Sequence, residues 1–188
     1  MHDRIIVALY HDIDVALRAL GDLEGEGLSE AFTLLGNASA KAAAGLAGEN
    51  EAGRGFASNY RVVYDSTDRR VDTLKGFGVP EDEAHAFAEA VRRGAVVVIG
   101  RLDDVAFERA LAIMDRYQPV DMDERVRAYQ DAGWTRYDPA AADYDAEQAR
   151  AEWAAHVTGR DAGTRDAAAG IRDVNDTPPR SRVRIYAF

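Results

Sequence analysis

Apolar positions in this chain fall into two patterns, short unbroken runs and longer stretches at helical spacing. Ile5-Ile6-Val7-Ala8-Leu9-Tyr10 is an unbroken run bounded by charge, which predicts a strand covered on both faces or central in a small sheet. Asp12-Ile13-Asp14 follows at once, where a short carboxylate can cap the open amides of a starting helix. Val15, Ala16, Leu17, Ala19, Leu20 and Leu23 keep the helical period until Gly25 and Gly27 end it. Leu28 to Leu35 predicts a second strand. The alanine- and glycine-rich stretch from Gly36 to Gly55 predicts a short helix and a loop. Tyr60-Arg61-Val62-Val63-Tyr64 predicts a short strand, with a helix starting near Thr67 as the competing reading.

The clearest helix start is Val79-Pro80-Glu81-Asp82-Glu83, where proline suits the first turn and the acids face the positive end of the helix dipole. Arg92, Arg93 and Gly94 end that helix, and Ala95 to Ile99 is the second strong strand. Asp103 or Asp104 then caps a helix carrying Val105, Phe107, Ala110, Leu111 and Met114 as far as Tyr117. The two strong strands form a weak internal repeat: Val7-Ala8-Leu9-Tyr10 leads into Asp14-Val15-Ala16 as Val97-Val98-Ile99-Gly100 leads into Asp104-Val105-Ala106. Two strand-helix units with a closing edge near Pro119 to Met122 predict an α+β fold, a ferredoxin-like sheet with helices on one face.

After Asp121 the character changes. A charged helix from Asp123 to Asp131 ends at Gly133, Trp134 to Pro139 forms an aromatic turn, and Asp145 with Gln148 has capping-box spacing for a helix running to about His156. Thr158 to Arg180 has little to bury and predicts a flexible tether, while Arg182 to Phe188 alternates as a strand. The organisation expected is a domain over 1–121, a helical extension over 122–157, and a tether over 158–188 ending in a docking strand at 182–187. That strand must pair with a sheet edge in its own subunit or a neighbour.

Charge and composition narrow the function. Thirty-three acidic against 23 basic side chains among 188 residues give a net charge of −10, which opposes a phosphate backbone and argues against nucleic-acid binding. The chain has no cysteine, so disulfides, thiolate nucleophiles and zinc-thiolate sites are excluded. The four histidines, His2, His11, His85 and His156, are scattered without the spacing of a metal pair. No apolar run reaches the length of a membrane span, and the N-terminal apolar stretch is short for a signal peptide, so the expected compartment is cytoplasmic, with no membrane partner.

Candidate chemistry sits at the strand ends. Tyr10, His11 and Asp12 follow the first strand, and Arg101 with Asp103 follows the second, where a ligand or an acid-base pair would be built. The competing reading makes the aspartates helix caps and His11 a solvated turn residue, the commonest use of Asp at such positions. Glu81-Asp82-Glu83 is accounted for by helix-dipole compensation without a metal. Trp134, Tyr137 and Trp153 in the extension, with Val183, Ile185 and Tyr186 in the terminal strand, are expected to dock onto the chain's own sheet or a partner. No catalytic set, cofactor or metal site is expected.

Val7 to Tyr10 with its acidic turn, Gly78 to Ala84, and Val91 to Val98 resemble the heat-induced stress protein domain of the general stress protein 17M type over residues 4 to 121. Asp121 to Arg125, Gly133-Trp134 and the terminal Arg-Val-Arg-Ile-Tyr resemble the extension of uncharacterised bacterial relatives. The resemblance implies a cytoplasmic bacterial stress protein with no catalytic residues to carry over. The Gly36 to Gly55 segment departs from the longer, more apolar glycine-rich insertion of relatives, because it carries Lys41, Glu49, Glu51 and Arg54. The expected function is therefore that of a non-enzymatic, stress-associated homo-oligomer, a dimer before other states, or a binder of a protein partner. The alternative is a small-molecule binding or enzymatic domain using Tyr10, His11, Asp12 and Arg101.

Overall fold

Strand β1 (Arg4–Tyr10) lies inside a five-stranded sheet of order β3-β2-β4-β1-β5, with β2 at Phe32–Leu35, β3 at Arg61–Val63, β4 at Val96–Leu102 and β5 at Arg184–Ala187. The computed structural model describes residues 4–43, 60–64, 67–168 and 182–187, with side chains to 158 and again from 182. β4 is antiparallel to both β1 and β2, β5 is antiparallel to β1, and β2 runs parallel to β3. β1, β2 and β3 thus point one way, β4 and β5 the other.

Both faces of the sheet are covered, which corrects the expectation of helices on one face only. Ile6, Ala8 and Tyr10 of β1 and Val96 and Val98 of β4 pack against α1 (Ile13–Gly25) and α5 (Asp104–Arg116). Ile5, Val7 and Leu9, with Val97 and Ile99, point the opposite way into a second layer made by α3 (Arg70–Phe77), α4 (Glu81–Arg92) and α6 (Met122–Asp131). The physical reason is in the runs themselves: β1 is apolar at every position from Ile5 to Tyr10 and buried throughout, so a sheet wet on one side would leave half of it in water. The small residue Gly100 in β4 leaves room for the Phe32 ring, 2.5 Å from where a Cβ would stand.

Three local expectations change. The second strand is shorter than Leu28 to Leu35, because Leu28 N–H closes back onto Leu23 O at 2.8 Å after Gly27 (φ 71°) and Ser29–Ala31 forms a 3-10 turn. Pro119 to Met122 is not an edge strand. Val120 N–H donates once to Leu9 O at 2.7 Å, and Asp121 then caps α6 by accepting from Glu124 N–H. The last helix, α7 (Ala146–Ala168), runs beyond His156. Both competing readings around residues 60 to 70 occur, as β3 and α3. In the Ala/Gly segment, α2 spans Ala38–Ala43, and residues 44–55 lie outside the described residues. The tether expected over 158–180 is instead helical as far as Ala168, as the end of α7, and its residues 169–180 lie outside the described ones.

The terminal strand pairs within its own chain, Arg4 to Val7 against Ala187 to Arg184, with Val183 4% exposed in the core. Among the described residues no helix is long and apolar enough to cross a membrane.

Candidate ligand site at the carboxyl end of the central strand

Antiparallel pairing separates the residues that the repeat in the sequence placed together. Tyr10 pairs with Val96, at the start of β4, while Arg101 pairs with Ile5 near the start of β1. At about 3.3 Å per residue Arg101 is about 17 Å from Tyr10, exposed at the opposite end of the sheet. Arg101 is therefore not part of a cluster with Tyr10, His11 and Asp12. Tyr10 is fully buried and its hydroxyl donates to Met114 O at 3.0 Å. Burial, followed by the nearby Asp115, raises its pKa above the ordinary phenol value, and its role is to fasten α5 to β1.

The other end of β1 is where the chain converges. β1 and β2 both deliver their carboxyl ends there, β4 begins there, and α7 crosses over them. Asp12 caps α1, with Oδ1 accepting from Val15 N–H at 2.9 Å, while its Oδ2 stands 2.7 Å from His11 Nε2. Nε2 is the ring nitrogen engaged by Asp12, which leaves Nδ1 for another partner. The His11 ring stacks on Trp153 of α7 with centroids 4.7 Å apart and planes 13° from parallel. Sequence reasoning singled out both residues but assigned them to different roles.

α7 is held in that position by its N-terminal side. Tyr144 N–H donates to Arg92 O at 2.8 Å and Ser39 Oγ to Tyr144 O at 2.9 Å. Asp145 and Gln148 form the reciprocal capping box, 3.0 and 2.8 Å. Glu152 accepts from Arg125 at 2.8 Å and Arg93 at 3.2 Å. Ala149 rests on the bare backbone of Gly94.

The His11–Trp153 pair forms part of the wall of two cavities. One, of about 550 Å³, lies between the start of α1, α2 and α7 and is lined mainly by Ile13, Ala40, Ala149, Ala154 and Trp153, with Ser39, Asp12, Asp14 and Arg150 as polar and charged groups. The other, of about 300 Å³, lies towards α5 and is lined by Val15, Val120 and Trp153 under Arg18, Arg116 and Arg182.

The remaining expected docking residues, Ile185 excepted, face the chain itself. Tyr137 is buried, its hydroxyl donating to Thr67 O at 2.7 Å. Trp134 meets Tyr129 edge-on at 5.9 Å, and its Nε1 is buried without a hydrogen-bond partner among the described residues, as are both ring nitrogens of His85. Burial, followed by the Arg136 charge, lowers the His85 pKa below the ordinary imidazole value. Trp134 and His85 line a third cavity of about 570 Å³ against β5, where Tyr186 OH donates to Glu83 Oε2 at 2.6 Å and Arg184 pairs with Asp123. Ile185 points outward, 45% exposed.

No protein family matches the chain, and neither does any curated protein or solved structure.

Proposed function

We propose that this chain is a binding protein for a small molecule seated in the 550 Å³ cavity against His11 and Trp153. The observation that carries this reading is the stacked His11–Trp153 pair, placed by two separate chain segments over a concave, largely apolar space. Its size falls within the range of ligand sites, about 300–1,000 Å³, and a few convergent polar groups supply orientation. Ser39, His11, Asp12, Asp14 and Arg150 are the polar residues among its lining.

The ferredoxin-like reading of the frame is supported by the order β2-β4-β1-β5 in alternating directions with α1 and α5 on one face. Assignment to the heat-induced stress proteins, and with it a role in bacterial stress, rests on the motifs over residues 4 to 121. A second reading, self-association as a dimer, rests on β5: it is an edge strand carrying the exposed Ile185, and its outer side pairs with no strand among the described residues.

Calorimetric titration with 3-phenylpropan-1-ol tests the cavity. The wild type is expected to bind, and Ala154→Trp, which fills the space from an exposed helix position, to bind at least tenfold more weakly with unchanged melting. Equal binding by the two proteins, or none by the wild type, rules this reading out. Sedimentation velocity on the wild type and Ile185→Lys tests the dimer; a monomer in both cases overturns it.

A further inference from the structure

The smaller cavity has a chemistry of its own. Arg18, Arg116 and Arg182 line it together with His11, and no carboxylate is among its lining residues. In a chain of net charge −10, a convergence of three guanidinium groups, of which only Arg116 is paired with a carboxylate, concentrates positive potential at one place. The three come from α1, the end of α5 and the segment leading into β5, so the fold, not one helix, brings them together.

Arg116 is partly engaged, pairing with Asp22 at 3.0 Å, and Tyr117 OH donates to the same carboxylate at 2.8 Å. Arg18 uses only its Nε–H locally, donating to Asp14 O at 3.2 Å, so its terminal nitrogens are left to meet a ligand. Arg182 has no hydrogen-bond or ion-pair partner among the described residues. Planar guanidinium forks match carboxylate and phosphate oxygens in paired hydrogen bonds. Beneath them Val15, Val120 and the edge of Trp153 offer an apolar floor.

We propose that this second cavity binds a small organic anion, its carboxylate or phosphate held by Arg18 and Arg182 with Arg116 behind, and its apolar body lying on Val15, Val120 and Trp153. The site is a separate space from the larger cavity and stands independently of the reading above. The larger cavity carries Asp12 and Asp14 against a single arginine, Arg150, in its wall, so an anion is less favoured there than on the side of the His11–Trp153 stack that holds three arginines and no carboxylate.

The test compares 3-phenylpropionate with 3-phenylpropan-1-ol by calorimetry on the full chain. The acid is expected to bind the wild type at least tenfold more tightly than the alcohol, to weaken as potassium chloride is raised, and to lose its advantage in Arg18→Gln/Arg182→Gln. Both side chains are on the surface, and circular dichroism melting of that double variant is expected to match the wild type. Ala154→Trp is expected to leave acid binding intact. Inorganic phosphate titrated alone separates sources: binding as tight as the acid would mean that the arginines take any anion and the apolar floor contributes nothing. An acid that binds no better than the alcohol, or that keeps its advantage in the double variant, overturns the anion site while the larger cavity stands or falls on its own titration.

Discussion

Arg70 and Asp143 form a two-pronged ion pair, Nη1 to Oδ1 and Nη2 to Oδ2 at 2.5 Å each, with the Arg70 side chain 1% exposed. This pair ties α3 to the segment that leads into α7. Burial would lower the Arg70 pKa, but the hydrogen bonds and charge of Asp143 outweigh it and hold the guanidinium ionised. Asp143→Ala leaves a buried cation alone and is expected to cost about 3 kcal/mol, the low end for a broken buried pair because Asp143 keeps some contact with water. Replacing both partners, Arg70→Met with Asp143→Leu, is expected to recover most of that loss in urea denaturation. A double variant no more stable than Asp143→Ala would mean that the pair does not act as a unit.

Gly94 predicts how closely α7 is seated. Its φ is 98°, and a Cβ there would lie 2.4 Å from Ala149 Cβ. Gly94→Ala is expected to destabilise by about 1–3 kcal/mol from backbone conformation alone, and by more from the clash. Adding Ala149→Gly removes the clash but not the backbone cost, so the double variant should lie between wild type and Gly94→Ala. If Gly94→Ala melts like the wild type, α7 does not rest on this turn.

Glu89 sets an acid limit on stability. Its side chain is 2% exposed, and burial pushes its pKa up, but the hydrogen bonds from Arg92 at 2.7 Å and Arg93 at 2.6 Å win and hold it below the ordinary carboxylate value. A depressed folded pKa contributes stability above the unfolded value, about 4.3, and loses it as pH falls through the folded one. Glu89→Gln is therefore expected to be less stable than wild type at pH 7 and to show a flatter decline on acidification. Parallel pH profiles of the two melting temperatures would refute this.

Much of the frame was legible in the chain because local signals agreed. The unbroken run of β1, the proline and acids that open α4, the carboxylate caps Asp12, Asp103 and Asp121, and the Asp145/Gln148 box all form as their residue types require. What was not legible depends on direction and on long-range contact. The repeat of strand, acidic turn and helix has the same look whichever way β4 runs, so Arg101 looked equivalent to His11 although antiparallel pairing puts them at opposite ends. The Arg70–Asp143 pair was not legible because its partners stand 73 residues apart; Glu89 has its partners Arg92 and Arg93 three and four residues on, and what the chain did not show there is its burial. The site's own signal was faint: Trp153 is one large ring in a weakly apolar helix, while His11 follows the buried β1 run directly, and nothing local links the two.

The terminal strand gives the last prediction. Four residues of β5 pair with Arg4 to Val7 of β1, Val183 is 4% exposed in the layer under α1 and α5, and Tyr186 donates to Glu83 across to α4. Removing residues 182–188 uncovers the edge of the most apolar strand in the protein. Lost burial of Val183 alone is worth about 2 kcal/mol, and the ladder and the Tyr186 contact add to it, so the melting temperature should fall. A long apolar edge with open amides and carbonyls is a template for pairing with another chain. The truncated protein is therefore expected to gain mass in sedimentation velocity, whatever the state of the full chain. If truncation leaves melting and mass unchanged, β5 neither stabilises the sheet nor shields its edge, and Arg182 would have no fixed place beside Arg18 and Arg116.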